Sequence, residues 1–424
     1  MSAIPAVAHE AAGLSPLAVE AARRKIRIGL FASVALGSTG HIAAATVAAI
    51  AGQDLLGSAA LAGAPSAAVV FGAAMGAIVL SSVMSQRGRR SGLAAGYAVG
   101  LIGAILATIA IVGRSFPLLI LGSFVIGFGN SSNNLSRYAA ADLVEPRRRA
   151  VAIGLVVWGS TIGGVIGPWL VPIAGTFATT VLGLPALAGP YLVPVLFVGL
   201  AFGLCMLLLR PDPYAVAHES TLRGPDDGPP IRAREVLMRP AVLAAVAALV
   251  ASQATMVLIM TMTPLHLTDH GHGLGTVGLV ISGHVAGMFA LAPISGWISQ
   301  RVGSLTTIFL GTAVLIAASA LAALAPPDSD ELLFVALFLL GWGWNLGFVA
   351  GSALLAAEVE VAERARVQGV ADAVIWTTSA VASLGSGPIV AAAGFSALGL
   401  LGAAFVLAPV WLLLAQPGER SRNA

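Results

Sequence analysis

Twelve apolar stretches recur along this chain, each with the ~20 residues a helix needs to cross the hydrocarbon core of a bilayer. They lie at about 27–50, 66–86, 91–113, 117–141, 149–173, 190–209, 240–264, 274–298, 304–325, 331–356, 366–391 and 396–415. Hydrocarbon offers no water to unpaired N–H and C=O groups, so stretches of this length must be helical. Composition agrees. The chain is 58% hydrophobic and 10% charged, where a soluble domain carries about 25% charged residues. Its 50 glycines suit helices that pack closely through small residues. The net charge of +3 calls for no nucleic acid. The single cysteine, Cys205, permits neither an internal disulfide nor a paired-cysteine metal site. No nucleotide loop, catalytic triad or hydrolytic metal motif is present, so the sequence does not read as an enzyme.

Basic residues set the orientation. One side takes Arg23, Arg24, Lys25 and Arg27, then Arg87, Arg89 and Arg90, Arg147 to Arg149, the arginines of the central loop, Arg301, Arg364 and Arg366. The other side has Arg114 among Asp54, Asp269, Asp328, Asp330 and Glu331. The positive-inside rule places both termini in the cytoplasm. The long polar break near 211–239 divides the spans six and six. The expected organisation is a cytoplasmic tail (1–22), a first six-helix bundle (23–210), a cytoplasmic linker (211–239), a second six-helix bundle (240–416) and a tail (417–424).

The halves repeat. After the second span comes Ser82-Val83-Met84-Ser85-Gln86-Arg87-Gly88-Arg89-Arg90, and after the eighth Gly296-Trp297-Ile298-Ser299-Gln300-Arg301-Val302-Gly303. Both resemble the Gly-x-x-x-Asp-Arg-x-Gly loop of the major facilitator superfamily. A second pair, Arg137 to Arg149 and Glu358 to Arg366, resembles that superfamily's other cytoplasmic motif. The resemblance implies two six-helix bundles moving about a central site, hence a carrier working by alternating access. In the family the motif's acid latches the cytoplasmic side. Here Gln86 and Gln300 replace it, and the first copy is one residue short, which puts the usual gating network in question but not the fold. Gln86, Arg87, Gln300, Arg301, Arg137, Asp142 and Asp372 are the gating or coupling candidates.

Four soft donors stand out in spans seven and eight: Met256 and Met260, then His284 and Met288. Each pair is spaced four apart, one turn along one helix face. If the two helices are adjacent and antiparallel, three thioethers and an imidazole converge near mid-depth, a set suited to Cu(I). The plain alternatives are methionine as interface filler and a histidine hydrogen-bonded across helices. Met-x-x-x-Met followed by His-x-x-x-Met resembles the signature of the CcoA-like copper importers of the superfamily. That resemblance implies a multi-pass protein of a bacterial inner membrane that imports copper for haem–copper oxidase assembly. Copper is then cargo with no permanently bound cofactor; copper chaperones or assembly factors are the implied partners, and the carrier is expected to be a monomer. His266, His270 and His272, in the outer turn between these spans, are either a metal entry funnel or solvated loop residues.

Other polar residues lie within spans: His41, then Asn130, Asn133, Asn134 and Arg137 in the fourth, and Trp342, Trp344 and Asn345 in the tenth. His41, Asn130, Asn134 and Asn345 are candidate cavity residues, with packing as the alternative. Arg137 is read as a gating pair with Asp142, and Asp372 as a structural partner of Arg364 or Arg366. Two rival functions share the fold. An antiporter of organic solutes or drugs, proton-coupled, would use Arg137 and the asparagines. A sensor would bind without transporting.

Overall fold

The structure is a computed structural model that describes residues 10–11, 13–56, 63–218, 236, 238–271, 274–326, 329–359 and 361–407. His272, most of the linker and the tail at 417–424 lie outside the described residues. The first half supplies α1 (Pro16–Leu56), α2 (Ala64–Arg87), α3 (Arg89–Val112), α4 (Phe116–Asp142), α5 (Arg149–Thr180), α6 (Ala188–Leu208) and the short α7 (Pro213–His218). The second supplies α8 (Pro240–Asp269), α9 (Leu274–Phe289), α10 (Ala292–Val302), α11 (Ser304–Leu324), α12 (Asp330–Glu358), α13 (Val361–Ala393) and α14 (Phe395–Val406). No strand occurs among the described residues. The helix boundaries follow local chemistry. Ser115 and Ser329 cap α4 and α12 by accepting from Leu118 N and Leu332 N, which satisfies one orphan donor at each start.

Among the described residues, ten helical spans are long and apolar enough to cross a membrane, and one of them combines α9 and α10. The fourth span, α4, is as long as the others but falls outside that group, because Asn130, Ser131, Ser132, Asn133, Asn134, Ser136 and Arg137 fill one end of it. The eighth span, expected to be continuous, is broken at Ala290-Leu291. Pro293 has no N–H to give the Phe289 carbonyl, and its ring crowds that oxygen. The expected tail is helical from Pro16, and Ala11 and Val19 are buried.

The chain forms two compact units, Met1–Pro230 with Glu360–Ala380, and Ile231–Val359 with Val381–Ala424. Both follow one packing plan. In the first unit α4 packs on α2 and α3, and α6 on α1 and α3; in the second α12 packs on α9 and α11, and α14 on α8 and α11. The repeat seen in the loop motifs is therefore also a repeat of helix contacts. Gly88 and Gly303 end the two motif helices in the same left-handed conformation, φ 89° in both, which glycine adopts without the Cβ penalty.

Helices approach closely where glycines face backbone. A Cβ at Gly127 of α4 would lie 1.9 Å from Val69 O of α2, and one at Gly72 of α2 would lie 1.9 Å from Phe124 O. Replacing Gly127 by valine must push α2 away, at a cost of about 1–3 kcal/mol. The expected outcome is a lower thermal midpoint and less monodisperse protein in detergent. Gly203→Ala, where nothing lies within 4 Å, should leave both unchanged.

Candidate functional site

The polar part of α4 positions the first cluster. Asn130, Asn134 and Arg137 share one helix face by their spacing. Tyr97 Oη of α3 donates to Asn133 Oδ1 at 2.9 Å, and Asn133 Nδ2 donates to Asn130 Oδ1 at 2.7 Å. These groups line a cavity within the first unit together with His41 of α1, Ile126 and Val198. Gly37, Gly100 and Gly129 border it as well. His41 Nδ1 is buried without a hydrogen-bond partner. The lining sets these few polar side chains among glycines and apolar groups, and holds no Asp, Glu, Lys or Arg. Tyr97 was not expected from the sequence, although a tyrosine in an apolar span announces a hydroxyl that must find a partner.

Toward the basic side the charges are paired. The Arg137 guanidinium holds Asp372 with two bonds, Nη2 to Oδ1 at 2.5 Å and Nη1 to Oδ2 at 3.2 Å. Tyr138 Oη accepts from Arg137 at 2.8 Å and reaches Asp372 Oδ1 at 3.3 Å. Asp142 instead takes Arg89, at 2.8 Å, and Arg364, at 3.1 Å. Arg89 also donates to Gln368 Oε1 at 2.9 Å. All four pair members around Asp372 and Asp142 on α4 and α13 are buried.

The partners expected from sequence are thus exchanged. Arg137 and Asp142 lie five residues apart, about 140° round the helix, and so face different neighbours. Arg364 and Asp372 lie about 12 Å apart along α13. The motif residues also differ from expectation. Gln86, Arg87, Gln300 and Arg301 are exposed; Gln86 Nε2 donates to Ser82 Oγ, and Arg301 covers the Trp297 ring. Arg89, just beyond the left-handed Gly88, does the pairing. The signal for it was the shortened motif, which puts an arginine directly after the turn.

Asp212, in the turn after α6, is fully buried. Its carboxylate accepts from the backbone N–H of Arg89, Arg90 and Tyr214, at 3.1, 3.0 and 2.8 Å, and so caps the start of α3.

In the second unit the four soft donors stand on helices that scarcely touch. The α9 helix packs along α12, and α8 packs on α12 and α14, so α12 is the common neighbour of both. The side-by-side packing on which the ladder was conditioned is not what these helices form. His284 is 1% exposed. Its Nδ1–H donates to Leu337 O at 2.8 Å, which leaves the Nε2 lone pair buried and unpartnered. Met256 is buried, while Met260 and Met288 are half-buried. Trp344 Nε1 donates to Gln253 Oε1 at 2.6 Å, and Asn345 Nδ2 to Met288 O at 2.7 Å. At the outer end, His270 Nδ1–H donates to His266 O, and the His266 ring stacks on Phe395. Among the described residues, no three carboxylate, imidazole or thiol groups gather as a metal cluster.

Comparison with known proteins bears on the whole chain. The family model of the Major Facilitator Superfamily matches residues 29–276 and 244–424. The chain is 37% identical to the uncharacterized MFS-type transporter YdeG of Bacillus subtilis over 86% of each chain. It is 34% identical to the riboflavin transporter RfnT of Brucella anthropi, over 94% of this chain and 98% of RfnT. The human organic anion transporter MFSD10 shares the fold with a TM-score of 0.71 at 15% identity, over 94% of this chain and all of that one.

Two predictions follow from the charges. Removing one member of a buried pair strands the other, at a cost of about 3–5 kcal/mol. Arg137→Leu should therefore lower the thermal midpoint strongly, and Arg137→Leu with Asp372→Leu should recover most of the loss; a double variant as unstable as the single one would refute the pairing. Burial, aided by nearby Glu10, pushes the Asp212 carboxyl from 3.8 up to about 6 against its backbone bonds. A folded value above the unfolded one means that its contribution is full below pH 3.8 and is lost as pH rises through about 6. Asp212→Asn should flatten that part of the thermal midpoint's pH dependence, measured on both proteins from acid to neutral pH.

Proposed function

The chain belongs to the Major Facilitator Superfamily, and from that premise we propose a secondary transporter of a bacterial inner membrane whose cargo is an uncharged, hydrogen-bonding organic solute. The class we infer is a planar heteroaromatic with amide-like edges, such as riboflavin. The observation that carries this reading is a lining in which His41, Tyr97, Asn130 and Asn133 stand beside apolar groups, with no Asp, Glu, Lys or Arg among them. An anionic cargo would want Arg137, but Asp372 already holds that guanidinium with two bonds. Asparagine amides carry both donors and acceptors; a solute edge would exchange for the bonds that Asn133 now makes with Tyr97 and Asn130, while Ile126 and Val198 offer an apolar wall. The similarity to RfnT over nearly the full length supports the same class. A carrier of this kind works by alternating access and needs no bound cofactor.

A second reading keeps copper as the cargo, and one observation favours it. The unpartnered Nε2 of His284 is presented in the tautomer that a metal ligand uses, with the other ring nitrogen fixed by a carbonyl. Met256, Met260 and Met288 would then be soft donors, supplied from outside past His266 and His270.

The experiment is uptake of labelled riboflavin, and of copper in parallel, by cells lacking their own carriers and producing this chain. Riboflavin uptake in the parent that falls about tenfold or more in kcat/KM in Asn130→Leu and Asn133→Leu, at matched membrane levels, supports the solute reading. Copper uptake that is lost in His284→Ala, with no riboflavin uptake, overturns it in favour of the second.

A further inference from the structure

The break in the eighth span sits deep in the membrane. From Leu274 to Phe289 is about 22 Å of helix and from Leu291 to Val302 about 17 Å. Proline alone does not account for it. Helices α5, α6, α8 and α13 run unbroken through Pro168 and Pro172, Pro194, Pro264 and Pro388. What differs here is Asn345 of α12, which is fully buried. Its Nδ2 reaches across to the Met288 carbonyl, an oxygen in the last turn of α9. Close contact makes this possible. A Cβ at Gly341 would lie 2.3 Å from His284 O, and one at Gly287 would lie 2.3 Å from Phe338 O.

The arrangement is rich in acceptors and poor in donors. Asn345 Oδ1 is buried with no partner. The Phe289 carbonyl has lost its i+4 donor to Pro293. Met288 O keeps a second lone pair beyond the one that Asn345 uses. The C-terminal end of α9 adds the negative end of its dipole, and the same proline removes a first-turn donor from α10. The two heads of one amide lie about 2.3 Å apart, so Oδ1 stands within about 5 Å of Met288 O. At shorter separations within that bound, one ion approaching from the side away from Nδ2 can touch both at the ~2.3–2.6 Å oxygen distance of calcium, whose radius sodium nearly shares. No Asp or Glu occurs from residue 274 to 327, and those of α12 are Asp330, Glu331 and Glu358 at its ends. A divalent ion would want carboxylates; neutral oxygens suit a single charge.

We propose that the α9–α10 break is a binding site for a monovalent cation, sodium, held by Asn345 Oδ1 and the carbonyl oxygens of Met288 and Phe289. The site stands independently of which cargo is moved.

The test uses the full chain, purified in nanodiscs, with NaCl titrated against choline chloride at constant ionic strength. The thermal midpoint is read from tryptophan fluorescence. Sodium should raise it in a saturable way that choline does not reproduce. Pro293→Ala restores a donor to the Phe289 carbonyl and should raise the half-saturating sodium concentration about tenfold while the protein stays folded. Asn345→Asp keeps the oxygen, adds charge, and should lower it about tenfold. Equal responses to sodium and choline, or a sodium response unaltered in both variants, would overturn the proposal.

Discussion

Hydrocarbon does not solvate backbone groups, and the rest of this structure follows from that constraint. Each peptide N–H and C=O within the membrane must be satisfied inside the protein. The chain answers with helices, and with glycines such as Gly72 and Gly127 that let helices meet backbone to backbone. Burial of apolar surface cannot hold such helices together, because lipid is as apolar as they are, so close packing and polar contacts do. Against this background every departure is informative. The polar stretch of α4, the arginine–aspartate pairs and the interrupted eighth span are each costly in isolation, and each is compensated by a specific partner.

The paired charges show how that compensation works. Arg137 with Asp372, and Asp142 between Arg89 and Arg364, bring opposite charges together where an unpaired one would be expensive. Such pairs are stable when geometry is complete and unstable when one partner leaves, so they favour two discrete arrangements over a continuum. The motif acid replaced at Gln86 is not simply missing. Asp142 supplies the carboxylate from α4, and Arg89, one step past Gly88, meets it. The ion pair thus joins the start of α3 to the end of α4, through Arg89 and Asp142 and not through positions 86 and 87.

Which of these features the sequence disclosed depends on their range. The spans were legible because hydrophobicity and length are local properties, and the loop motif was legible because Gly88 and Gly303 each need a conformation that glycine adopts readily. The ion-pair partners were not. Sequence proximity suggested Arg137 with Asp142, whereas helix rotation decides the matter against it. The copper ladder joined Met256 and Met260 to His284 and Met288 through an assumed neighbourhood of α8 and α9. Helix adjacency is a tertiary property, and in both units the first and second helices are weak neighbours. The break at Ala290-Leu291 was half legible: Pro293 was visible, but five prolines inside other helices leave those helices intact. At this break Asn345, some fifty residues away in sequence, donates to the Met288 carbonyl.

An uncharged cargo raises a question of driving force that a charged one does not. Membrane potential does no work on a neutral solute, so accumulation against a gradient requires an ion whose binding changes the solute's affinity. That change is a coupling free energy and is reciprocal: the solute alters the ion's affinity by the same factor. Neither ligand shifts the balance between two conformations unless it binds them differently. A cation site made of carbonyls at a helix break meets that requirement, since the oxygens belong to segments whose spacing changes if α9 and α10 change angle. A rigid carboxylate cage would hold the ion equally well in both states and couple nothing.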